Sequence, residues 1–142
     1  STAGEMYKSS NENLSPLSVG DIAMVMSDIP NGKALAKCFF IDKNGKYTLN
    51  QRICAFKSKD IDSLYLFYKL NRNKYFLDFD SGVGQTNLKK SEVLNCPIIL
   101  PTNKKEQSAI ALALSDMDAL ITKFGKIKWL YLELYLKSQY KI

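Results

Sequence analysis

A chain of 142 residues is sized for one domain, and its 20 Lys and Arg against 14 Asp and Glu leave a net charge of +6, which suits a polyanionic partner without requiring one. It contains no histidine. That removes the commonest general base, the usual partner of Ser and Cys nucleophiles and the commonest metal ligand, and with them most hydrolase chemistry.

Residues 1–16 are small and polar, and read as a loop or flexible tail. Ser18-Val19-Gly20-Asp21 then predicts a turn delivering a short apolar strand, Ile22 to Met26, closed by Asp28-Ile29-Pro30-Asn31-Gly32. A second strand is expected over Ala34–Ile41, followed by Asp42-Lys43-Asn44-Gly45-Lys46. There Asn-Gly offers the positive φ angles of a hairpin turn, with Tyr47–Phe56 as the returning strand. From Ile61 the period changes: Ile61, Leu64, Tyr65 and Tyr68 follow one helical face, which predicts a helix to about Leu70 with Asp60 as its N-cap. Asn71-Arg72-Asn73 interrupts, Lys74–Phe79 reads as a second short helix, and a glycine-rich segment from Ser81 to Asn87 follows. Pro97 and Pro101 bracket an extended segment.

Asn103, with Glu106 in capping-box spacing, opens one long helix. Ile110, Leu114, Met117, Ile121, Phe124 and Tyr131 recur along it at heptad-like steps, broken at Lys128, and so form a coiled-coil seam. Gly125 is a weak point where a bend is expected, and Trp129–Leu136 is apolar on nearly every side except Glu133. If this helix merely covered its own domain, the seam would not need to continue as far as Tyr135. Pairing with a second helix explains it better.

Chemistry-bearing constellations are sparse. Cys38, Cys54 and Cys96 lie far apart among apolar residues, so neither a disulfide framework nor a metal site is indicated, and no bound metal is expected. Asp78 with Asp80, and Asp116 with Asp118, are neighbours that point apart on a helix. Gly82 and Gly84 lack the third glycine and the preceding strand of a dinucleotide loop. No apolar run reaches the roughly 18 residues that span a bilayer, and Ser1–Glu5 lacks the features of a signal peptide, so a soluble cytoplasmic protein is expected. Lacking an initiating Met, the chain reads as cut from a longer one.

Four blocks in order carry a resemblance: Ser81-Gly82-Val83-Gly84-Gln85-Thr86-Asn87-Leu88, then Ile98-Ile99-Leu100-Pro101, then Lys105 to Ala111, then Leu114 to Ile121. Together they closely resemble the end of a target-recognition domain, with its following helix, in the DNA specificity subunits of type I restriction-modification systems. Leu17-Ser18-Val19-Gly20-Asp21-Ile22 and Leu49-Asn50-Gln51-Arg52 resemble two upstream strand starts of the same family, so the likeness runs from about residue 17 to 124. It departs at Trp129–Leu136, where family members carry a more charged helix end.

The resemblance implies an α+β architecture: a partial, strand-rich target-recognition domain with short helices over 17–102, followed by a coiled-coil-type spacer or dimerisation helix over 103–142. It implies a non-catalytic DNA-recognition subunit that binds double-stranded DNA together with modification and restriction subunits. Those partners would hold the S-adenosylmethionine, ATP and magnesium, leaving this chain without a cofactor. Further strands before residue 1 and a second recognition domain belong to the full pattern.

Phosphates take cations and amides, while base edges take fork-like side chains. The candidate DNA-binding residues are therefore Lys33, Lys37, Asn50, Gln51, Arg52, Gln85, Thr86, Asn87, Lys89 and Lys90, with Lys43 and Lys46 as further loop cations. For the stretch from Gly82 to Asn87 a helix-terminating turn is an equal alternative. Helix pairing falls to Ile110, Leu114, Met117, Ile121, Phe124 and Tyr131. The competing reading is a helix-mediated dimeric adaptor that binds no DNA.

Overall fold

The apolar run after Asp21 becomes the centre of a sheet. A computed structural model describes residues 6–8, 16–30 and 32–140, with side chains over 16–30 and 32–134. In it β1 (Met6–Lys8), β2 (Ile22–Val25), β4 (Cys38–Phe40) and β5 (Ile53–Phe56) form an antiparallel sheet in the order β1-β5-β2-β4. Strand β1 lies inside the stretch expected to be a tail; the rest of that stretch, up to residue 15, lies outside the described residues.

Ile22 opposes Phe40 on one side and Phe56 on the other, and Met24 opposes Cys38 and Cys54. Alternation puts these side chains on one face, where Ile22, Met24, Cys54 and Phe56 are buried against the helices. On the other face Ala23 and Ala55 are covered by Leu17, Ile41, Tyr47 and Leu49.

The expected hairpin between β4 and β5 does not form, because β2 lies between them. Gly45 alone takes positive φ, 64°, whereas a two-residue hairpin turn of the expected type needs both central residues there. The turn docks elsewhere: Gly45 N–H donates to Leu17 O at 2.9 Å and Val19 N–H to Asn44 Oδ1 at 2.7 Å. Both flanking strands are shorter than expected, since Ala34–Lys37 and Asn50–Ile53 are turns closed by hydrogen bonds from Lys37 N to Ala34 O and from Ile53 N to Asn50 O.

Helix α1 (Ser63–Leu70) is capped by Asp62, whose Oδ1 accepts from Tyr65 N–H at 2.9 Å, and not by Asp60. Ile61, read as the first helical position, is instead a buried residue ahead of the cap. Asn73 caps α2 (Lys74–Leu77) in the same way. Leu66, Leu70 and Phe76 fill the core beneath the sheet. A small second sheet joins β3 (Ser27–Asp28) to β6 (Thr86–Asn87), and α3 (Lys90–Leu94), which the sequence pattern did not reveal, follows it.

Helix α4 (Lys104–Tyr140) runs 37 residues, continuing through Gly125. Asn103 Oδ1 accepts from Lys105 N–H at 2.9 Å, as a cap should. Its first turns dock on α1: Ala111 is buried, Ser108 donates to Asp62 Oδ2 at 2.7 Å, and Tyr68 OH donates to Asp118 Oδ2 at 2.9 Å. Residues 119–134 are all exposed. The strand-rich body with short helices and a long terminal helix is the α+β arrangement expected.

Candidate nucleic-acid interface

Strand β2 and its continuation β3 exchange partners at Met26. Met26 N–H donates to Arg52 O at 2.8 Å, while Met26 O accepts from Leu88 N–H at 2.8 Å, so the strand passes from β5 to β6 at this residue. On its opposite edge, Val25 N–H donates to Lys37 O and Ala36 N–H to Val25 O. One end of the sheet thereby gathers segments from three distant parts of the sequence: 33–37, 50–52 and 85–87.

The structure brings together Lys33, Lys37, Asn50, Gln51, Arg52, Gln85 and Asn87 at this end, all exposed. Gln85 Nε2 donates to Ser27 Oγ at 2.7 Å and to Asn87 Oδ1 at 3.3 Å, which holds both amides on one edge. Thr86 is turned the other way: it is buried and its hydroxyl donates to Asp80 Oδ1, because alternation along β6 faces it inward between two exposed amides. Asp80 Oδ1 also accepts from Gly82 N–H at 2.9 Å, and Gly82 and Gly84 take φ of 70° and 81°, which glycine adopts without a Cβ clash. Lys89 and Lys90 are exposed just beyond, at the start of α3, where Lys89 N–H donates to Glu92 Oε2 at 2.6 Å. Lys43 and Lys46 sit in the turn after β4, at the opposite end of the sheet.

Asp28 and Arg72, which the sequence reading missed, organise this end. Asp28 carboxylate oxygens accept from Ile29, Ala34 and Leu35 N–H at 2.9, 2.6 and 3.0 Å. The Ala34 amide above all, and the Arg72 charge to a lesser extent, hold its carboxyl below the usual range. An Asp opening Asp-Ile-Pro-Asn-Gly was the available signal, being a side chain placed to accept from the loop it begins.

Gly32 lies against that carboxylate so closely that a Cβ there would overlap it. Gly32→Ala should lower stability by about 1–2 kcal/mol through the forced shift of the clamp, read as a drop in melting temperature. An unchanged melting point would mean the loop moves freely.

The pairing residues Ile110, Leu114, Met117, Ile121, Phe124 and Tyr131 are all exposed, from 37% at Leu114 to 74% at Tyr131. They share a face about a quarter to a third of a turn away from the one that Gln107, Ala111 and Asp118 press on α1, at roughly 100° per residue. The side chains of Tyr135 and Leu136, expected to extend the seam, lie outside those described.

Burial pushes the Cys54 thiol up to about 12 and raises Cys38 and Cys96 as well. Burial therefore works against the thiolate form that a nucleophile needs. Among the described residues, no helix is long and apolar enough to cross a membrane.

No curated protein matches the chain. The family model for the type I restriction modification DNA specificity domain matches residues 21–130, a span that begins at the Asp before β2, takes in the whole polar end of the sheet and ends within α4. A match over so much of the sequence, agreeing with the four ordered blocks read from it, places the protein in the type I restriction modification DNA specificity domain family.

Proposed function

We propose that this chain is a non-catalytic cytoplasmic subunit that reads double-stranded DNA with the polar end of its sheet and directs modification and restriction subunits to the target. The methyl donor, the ATP and the magnesium belong to those partners. The observation that carries the reading is the convergence of Lys33, Lys37, Arg52, Gln85 and Asn87 at one end of the sheet within the matched span. Lys37 and Arg52 flank Val25 and Met26 from opposite sides, two strand spacings or about 10 Å apart. That is comparable with the roughly 12 Å width of a major groove. Cations flanking amide forks suit phosphates at the rim and base edges within.

A salt series of duplex-binding measurements tests this. Affinity should fall steeply with salt, and Lys33→Ala and Lys37→Ala should each flatten the slope by about one. Lys43→Ala and Lys46→Ala, at the far end of the sheet, should leave it unchanged. Absence of duplex binding, or an equal response from all four variants, would sink the assignment of this edge.

The exposed seam of α4 supports a homodimer through that helix, and the same apolar surface suits docking to modification subunits. It also favours the second reading, an adaptor without DNA. A dimer that binds no duplex would be its signature.

A further inference from the structure

Two residues other than glycine hold positive φ among the described residues, Ala36 and Arg72, both at 55°. A side chain is sterically disfavoured in that region and persists there when its surroundings over-determine it. The two are joined directly: Arg72 N–H donates to Ala36 O at 2.8 Å. The link is repeated on either side, since Arg72 Nη1 donates to Leu35 O at 2.9 Å and Cys38 N–H donates to Asn71 Oδ1 at 3.0 Å. The turn that ends α1 thus grips residues 35–38 by three hydrogen bonds. Leu35 and Ala36 are buried under this grip while Lys33 and Lys37 on either side are exposed, so the joint decides where the two lysines stand.

We infer that Arg72 is a positioning residue for DNA recognition, holding the loop of Lys33 and Lys37 in register with Arg52 and Gln85 through its guanidinium bond to the Leu35 carbonyl. This rests on the proposal above that the same edge meets DNA. Arg72 acts through the loop it holds and makes no phosphate contact of its own. A guanidinium suits the task because its fork is rigid and always charged, whereas an ammonium on a flexible stem fixes no direction.

The test exploits the backbone strain. Glycine adopts φ of 55° without penalty and keeps the N–H that bonds Ala36, so Arg72→Gly removes the guanidinium while relieving the clash. Relief of the strain offsets the lost bond to Leu35 O, so its melting temperature should stay within about 3 °C of that of the unsubstituted chain. Binding is measured on a duplex enriched from a random-sequence pool by the unsubstituted chain. The glycine variant should raise Kd about tenfold, as expected if the unheld loop occupies its binding register about a tenth of the time, with the slope against salt unchanged. Amide exchange at Ala34 to Cys38 should quicken. Arg72→Lys, which keeps the charge but not the fork, should bind as poorly.

Full binding by the lysine variant, an unchanged Kd for the glycine variant, or a slope flattened by about one, which marks a direct phosphate contact, overturns the inference. Should the unsubstituted chain enrich no duplex, it is the DNA reading that fails. Exchange at Ala34 to Cys38 then still decides on Arg72: quickened exchange upholds its hold on the loop, and unchanged protection ends it.

Discussion

Joint replacement of Met117 and Ile121 by Asp should reduce the sedimenting mass from that of two chains to the 16.1 kDa of one. Met117 is 60% and Ile121 68% exposed on the body described, so the substitutions remove nothing from its core. In a paired seam each would lose about 1.5–3 kcal/mol of apolar burial, and each new carboxylate would have to be desolvated between helices at several kcal/mol more. The melting of the strand-rich body should therefore hold while association is lost. An unaltered mass would dispose of pairing through this seam.

Gln107→Leu should destabilise the body itself by about 2–4 kcal/mol, lowering the melting temperature by roughly 10 °C. Gln107 is 4% exposed, its Oε1 accepts from Asp62 N–H at 2.9 Å, and its Nε2 donates to Pro101 O at 2.8 Å. One amide thus joins α4 to the cap of α1 and to the proline-bracketed segment. Leucine nearly matches its volume, so little packing is lost and the cost is two backbone groups left without partners. A melting point close to that of the unsubstituted chain would show that water replaces the amide, and that the joint is wetter than its burial implies.

Much of the α+β arrangement was legible in the residues, and the reasons differ by element. Helix α4 declared itself because a heptad pattern and an Asn cap are local signals repeated over many residues. Asp60 and Asp62 are both plausible caps two residues apart, and only the docking of Ile61 into the core selects the second. Strand pairing was not legible: Asn44-Gly45 is a hairpin signal in isolation, but β2 pairs with both β4 and β5 and separates them.

The candidate interface depended on that same pairing. Each of the segments 33–37, 50–52 and 85–87 could be singled out by its polar side chains, yet their meeting follows from the exchange of partners at Met26. Thr86 faces inward while its neighbours do not, because facing is set by register, which the residues alone do not give. Arg72 read as a break between helices, since its left-handed backbone and its bond to Leu35 depend on contacts 37 residues away in sequence.

Tyr68 bonds to Asp118 where α4 lies on the body, and the helix continues to Tyr140. At about 1.5 Å per residue the remainder is a lever of roughly 33 Å. A tilt of about 10° at its root would carry the tip some 6 Å, close to two nucleotide rises along one DNA strand. The hydroxyls of Ser108 and Tyr68, neither of them a candidate DNA residue, therefore govern reach: altering them would change where the far end points.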